Sequence, residues 1–210
     1  MMWRLLMRRC PTRSMTLVGD PAQTAEPGGC GSWASILAPY TGDRWQHVRL
    51  GVNYRTPSEI MDIAAEVPRS TDPAFEPPRS IRSTGVPPWA QRTDDCARTV
   101  AEAVAREAQE QGRLAVIAPR SRHDALAAAL PAASAGSSLD LTRPVVLIDP
   151  RQAKGLEFDT VIVVEPAEFG ASDLYVALTR ATQRLGVIHA APLPPGLETL
   201  PPRAAALTGR

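Results

Sequence analysis

Four short runs that are apolar almost throughout constrain this chain more than anything else in it: Leu114–Ala118, Val145–Ile148, Thr160–Val164 and Leu185–His189. A strand that is apolar at nearly every position is covered on both faces, and such strands belong to a parallel sheet between two helical layers. The stretches between them supply the helices. Thr56 and Pro57 open a helix over Ser58–Val67, and Asp94 caps an Ala- and Glu-rich helix to about Gln111, stopped at Gly112. Asp124–Leu130 and Ala171–Gln183 read as two more. Ahead of these, residues 2–10 have a rough helical period ended by Pro11, and Ser32–Leu37 forms a helical turn stopped at Pro39. Met15–Val18 and Trp45–Leu50 read as further strands. The Pro-rich stretch 68–88 reads as an extended, irregular connection, and the tail from Ala191 as loose. The expected fold is a three-layer α/β domain.

Composition narrows the function classes. The 23 basic residues nearly cancel the 22 acidic ones, for a net charge of +1, so no strongly basic nucleic-acid coat is present. Of the 23, only Lys154 is a lysine. A phosphate loop of the form G-x-x-x-x-G-K-[ST] would have to use it, and Gln-Ala-Lys-Gly-Leu does not fit. No apolar run approaches a membrane span, and the start MMWRLLMRRC is too short and Arg-broken for a secretory signal. Cys10, Cys30 and Cys96 are far apart, as are His47, His123 and His189. This spacing suits reduced thiols in a cytoplasmic protein and supplies no metal-ligand pattern.

Ligands of open α/β sheets sit at the carboxyl ends of strands, so the segments flanking the expected strands matter most. Four stand out: Gly19-Asp20-Pro21-Ala22-Gln23; Asn53-Tyr54-Arg55-Thr56; Gln152-Ala153-Lys154-Gly155-Leu156-Glu157-Phe158-Asp159; and, on the last helix, Tyr175-Val176-Ala177-Leu178-Thr179-Arg180-Ala181. Each has an ordinary reading on its own. Gly-Asp-Pro is a common turn, a helical Arg is usually solvated, Tyr54 could pack in a core, and Glu157 could start a helix. Trp33 and Trp45 read as packing residues.

Together and in this order, the four strings resemble motifs III, IV, V and VI of superfamily 1 helicases of the UvrD/Rep type, over residues 2–190. The resemblance implies a RecA-like parallel sheet, the second motor domain of such a helicase. It also implies an ATP site shared with a first domain that carries the phosphate loop and the Mg²⁺ carboxylates. Arg55 and Arg180 would be the two arginine fingers and Gln23 the γ-phosphate sensor. Tyr54 would stack on adenine, Glu157 would accept from the ribose hydroxyl, and Gly155 would allow close backbone approach. Guanidinium groups stabilise charge on a transferring phosphoryl group, and a planar fork suits this better than an ammonium.

The departures from that pattern carry their own expectations. No Walker A string or Asp-Glu metal pair precedes motif III, so the chain resembles such a helicase without its amino-terminal part. Residues 1–38 would be a remnant of the first domain, 39–190 the second RecA-like domain, and 191–210 a Pro-rich tail. Only 98 residues separate Arg55 from Lys154, too few for the inserted subdomain of UvrD and Rep. Thr24–Gly29 lacks the aromatic, Arg-containing strand-gripping segment, and Ile148–Gln152 replaces the usual Thr-x-His. These features, with the strings Met2–Thr16 and Thr24–Trp33, resemble the helicase D-like branch, which acts on RNA polymerase. The expected partners are therefore DNA (weakly), RNA polymerase and an amino-terminal motor domain, with no membrane and no metal ligand. The expected cofactors, ATP and Mg²⁺, need the first domain, and the chain alone is expected to be inactive. The alternative is a non-catalytic binding module that docks on RNA polymerase or nucleic acid.

Overall fold

The computed structural model describes residues 2–23, 32–109, 112–136 and 139–203. The segment 24–31, which holds Cys30 and the stretch compared above with the strand-gripping segment, lies outside the described residues. The chain divides into two compact units, 1–50 and 51–210.

In the first unit, α1 (Met2–Arg9) and a 3-10 turn at Pro21–Gln23 precede α2 (Trp33–Thr41). The Ser32 hydroxyl caps α2 by accepting from Ser35 N at 3.2 Å. The helix runs past Pro39 to Thr41, further than its sequence suggests. Trp33 meets Trp3 edge to face at 6.4 Å and lies over Gly19, where an added Cβ would be 3.2 Å from its ring. Both expected strands are corrected here: 15–18 and 45–50 are irregular, and Val18 is 86% exposed. A strand exists only by pairing, and no strand occurs among the described residues of this unit to pair with either segment.

The second unit begins with β1 (Val52–Asn53), α3 (Ser58–Arg69) and β2 (Arg79–Ser80); β1 and β2 pair in parallel. The rest alternates: β3 (Trp89–Arg92), α4 (Cys96–Glu107), β4 (Leu114–Ile117), α5 (His123–Ala129), β5 (Val145–Ile148), α6 (Pro150–Ala153), β6 (Phe158–Val164), α7 (Ala171–Leu178) and β7 (Ala181–His189). Five strands form one fully parallel sheet in the order β3-β7-β6-β4-β5. The three-layer α/β expectation is met.

The layers follow from chain direction. From β3 through β4 to β5 the chain crosses the sheet one way, and from β5 through β6 to β7 it returns. Right-handed crossovers therefore send α4 and α5 to one face and α6 and α7 to the other. The packing agrees. Val100, Val104 and Leu126 lie with Leu114, Val116, Leu147, Ile162, Val164 and Ile188 on the α4–α5 face. The alternate residues Ala115, Ile117, Val161, Val163 and Val187 are buried on the side where α3 and α6 pack against α7.

Both sheet edges are covered. Ser134 bridges to Val146 beside β5, and Pro202 bridges to Ala90 beside β3. The described part of the tail, 191–203, is therefore packed rather than loose: Leu197 is buried, Arg203 lies 4.1 Å above the Trp89 ring, and its guanidinium pairs with Glu107 at 2.8 Å. Its Leu and Arg side chains find apolar and acidic partners that local composition does not reveal. Two further corrections matter for the site. Asp95, not Asp94, caps α4. Helix α7 ends at Leu178, so Arg180 lies in the turn that enters β7 rather than on a helix.

Candidate functional site

The loop after α6 is set by local chemistry. Asp149 and Gln152 form a reciprocal capping box that starts the short helix. The chain then reverses through Gly155, whose φ of +82° only glycine adopts readily. A Cβ there would meet nothing within 4 Å, so the glycine serves the turn and not close packing. Glu157 follows at the lip of β6, with its side chain 54% exposed, and it starts no helix.

Arg180 is 3% exposed, which overturns the expectation for a lone surface arginine. Its Nε donates to Val176 O at 3.1 Å, Nη1 to Leu156 O at 3.2 Å and Nη2 to Thr179 Oγ1 at 3.3 Å. Arg55 comes from the turn after β1, with its side chain 35% exposed. Its Nη2 donates to Thr179 O at 3.3 Å, and its Nη1 lies 3.9 Å from Glu157 Oε2. The Arg55 Nε is buried without a hydrogen-bond partner. The three segments thus close a ring: Arg55 to the Thr179 turn, Arg180 to the Leu156 loop, and Glu157 back to Arg55. An open hollow of about 410 Å³ adjoins it, lined by Arg113, Leu141, Gly155, Leu156, Glu157 and Phe158.

Of the residues singled out by sequence, the structure brings together Arg55, Gly155, Glu157 and Arg180. Tyr54 adjoins them in the chain and is 78% exposed, so it is no core residue. Gln23 belongs to the first unit, where its amide donates to Asp20 Oδ2 at 2.8 Å. Sequence reasoning missed Asn53, which ties down the turn carrying Arg55, and Arg113, whose guanidinium donates to Glu157 O at 3.3 Å. Asn53 opens the Asn-Tyr-Arg-Thr string, and an Asn two residues before a turn position is a recognisable signal.

The location corrects the expectation about strand ends. Glu157 and Arg180 immediately precede Phe158 and Ala181, the paired first residues of β6 and β7, so the cluster lies at the amino ends of the sheet. At the carboxyl ends, the segments that follow β4 and β6 are tied together. Arg122 pairs with Glu168 at 2.7 Å, and the buried Glu165 accepts from Cys96 Sγ at 2.9 Å and Ala190 N at 3.0 Å. Burial pushes the Cys96 thiol up to about 12, so it acts as a neutral donor. Burial also works against the Glu165 carboxylate, but these hydrogen bonds hold it below its ordinary value.

The strand β5, the loop, β6, α7 and most of β7 fall in one stretch. Residues 144–188 match the UvrD-like helicase C-terminal domain. That match contains Gly155, Glu157 and Arg180. Among solved structures, the C-terminal domain of a possible DNA helicase from Lactobacillus plantarum WCFS1 is similar over 70% of this chain and 94% of that one, with 21% identity and a TM-score of 0.55. The two share a fold. The helicase of PRRSV (18% identity, 72% of this chain, TM-score 0.41) and the arterivirus nonstructural protein 10 helicase with DNA (16%, 66%, 0.37) are more distant. This chain spans about a quarter of each viral helicase. No curated protein matches. No helix among the described residues is long and apolar enough to cross a membrane, and none of their His, Cys, Asp and Glu side chains group as a metal site.

Proposed function

We propose that this chain is the carboxy-terminal motor domain of an ATP-dependent DNA helicase or translocase. It supplies arginines to an ATP site whose phosphate loop lies on another domain. The ring joining Arg55, Glu157 and Arg180 carries the reading, because it gathers three separate strings at one point beside a half-exposed carboxylate and an exposed tyrosine.

The residues fit a nucleotide. Arg55 has a buried, unpartnered Nε and a guanidinium held only by one 3.3 Å carbonyl bond and a 3.9 Å ion pair, so it can turn to an anionic oxygen. ATP with Mg²⁺ supplies the transferable phosphoryl group and its charge neutralisation. In this reading Arg55 and Arg180 would hold the terminal phosphate. Tyr54 would cover the base, Glu157 would accept from the ribose, and Gln23 would serve the attacking water. The metal carboxylates come from the domain with the phosphate loop. DNA is the proposed track, and RNA polymerase docking is a further proposed partnership.

The direct consequence is that the purified chain alone hydrolyses ATP no faster than background. DNA-stimulated turnover by the clean chain would overturn the reading.

A further inference from the structure

We infer that Asn53 is the positioning residue of Arg55, setting its reach through the backbone rather than by touching its guanidinium. This inference rests on the reading of Arg55 as the phosphate-facing arginine. The Asn53 amide is used on both sides. Its Oδ1 accepts from Arg55 N at 3.0 Å and from Thr56 N at 3.2 Å, while its Nδ2 donates to Thr56 O at 3.2 Å and Ser80 Oγ at 3.3 Å. Ser80 Oγ donates in turn to Thr56 O at 2.9 Å, and Arg82 Nη1 reaches Arg55 O at 3.4 Å.

Arg55 is therefore held at its own N–H and C=O and through its neighbour Thr56. Its side chain is held loosely by comparison: one 3.3 Å bond to a carbonyl, one 3.9 Å ion pair, and an Nε with no partner. The guanidinium's starting point is thus fixed by the amide turn, and its far end is left able to exchange partners. An arginine that must change partners needs a fixed root and a free tip. The two halves of the Asn53 amide are also separable. Aspartate keeps both acceptances and loses the donations, whereas alanine loses everything.

The test uses the full 210-residue chain. The Arg55 Nε–Hε resonance is identified in nitrogen-labelled protein by its disappearance in Arg55→Lys, then followed in Asn53→Ala and Asn53→Asp alongside thermal melting. The account expects N53A to move that resonance by more than its linewidth and N53D to leave it close to wild type, with the Arg180 resonance unmoved in both. In the ATPase assembled with a phosphate-loop domain, N53A lowers kcat by about 10²-fold, the cost of a misplacement near 1 Å, with KM for ATP unchanged, and N53D largely rescues it. An Arg55 resonance indifferent to N53A, or displaced as far by N53D, overturns the inference. Should N53A fail to fold, Asn53→Gly, which also lacks the side-chain amide, takes its place with the same expected displacement. Full ATP turnover in Arg55→Ala would instead sink the arginine reading and leave the Asn53–Arg55 linkage standing.

Discussion

Arg180 shows how much one side chain in this domain holds together. It joins the end of α7 to the loop before β6 through the Val176 and Leu156 carbonyls. Truncation to alanine strips both carbonyls of that donor in a buried place, so Arg180→Ala should lose about 2–4 kcal/mol of stability in urea unfolding. Arg180→Lys keeps the charge but cannot reach three acceptors in a fork. Equal stability of Arg180→Ala and wild type would place the side chain in solvent. Glu59 offers a second residue-scale test. The Ser83 hydroxyl, with help from the Gly85 and Thr84 amides, lowers its carboxyl from 4.5 to about 2. A depressed folded-state value stabilises above the unfolded value and is lost as pH falls from 4.5 toward 2. The urea midpoint of wild type should therefore converge on that of Glu59→Gln between about pH 5.5 and about pH 2.5; parallel curves would contradict the clamp. The strings containing Arg55, Glu157 and Arg180 stand out in the sequence, and the structure brings these three side chains together. The burial of Arg180 was not legible there, since an arginine satisfied by carbonyls from two distant segments leaves no local trace.

At the scale of elements, legibility tracked how a segment is stabilised. The strands β4, β5 and β6 are buried on both faces and announce themselves as apolar runs. The strand β3 was missed because Trp-Ala-Gln-Arg lies at a sheet edge and is strand only by virtue of β7 beside it. The segments 15–18 and 45–50 failed for the converse reason: their composition favours a strand and no partner strand is described beside them. The tail was misjudged because its packing is long-range. Pro201 O accepts from Ala90 N at 2.8 Å, Arg203 N donates to Ala90 O at 2.9 Å, and Trp89 is sandwiched between Arg203 and Gly186. A Cβ on Gly186 would fall 2.2 Å from the Trp89 ring. Gly186→Ala should therefore destabilise by about 1–3 kcal/mol, as overpacking does, and Trp89→Ala in the same chain should relieve most of the added penalty. Simple additivity of the two substitutions would mean that Trp89 is not where the structure places it.

Across the whole second unit, chain direction reverses at β5. Adjacent β4 and β6 send their connections to opposite faces and open a crevice at their carboxyl ends. At that end, Arg122 pairs with Glu168 and Cys96 donates to Glu165. The chain's reactive-looking side chains gather at the opposite end, on loops that enter strands. A domain that binds its own nucleotide uses the carboxyl-end crevice, whereas a domain that lends arginines to a neighbour's nucleotide can present them from any rigid edge. The 23 basic residues nearly cancel the 22 acidic ones and form no strongly basic coat. The most direct measurement is ATP turnover by this chain assembled with a phosphate-loop motor domain, for wild type, Arg55→Ala and Arg180→Lys. The account predicts turnover in the wild-type assembly and a loss of about 10³-fold or more in Arg55→Ala, as arginine fingers show, with Arg180→Lys also impaired. Retention of more than about a tenth of wild-type turnover in both variants would contradict it.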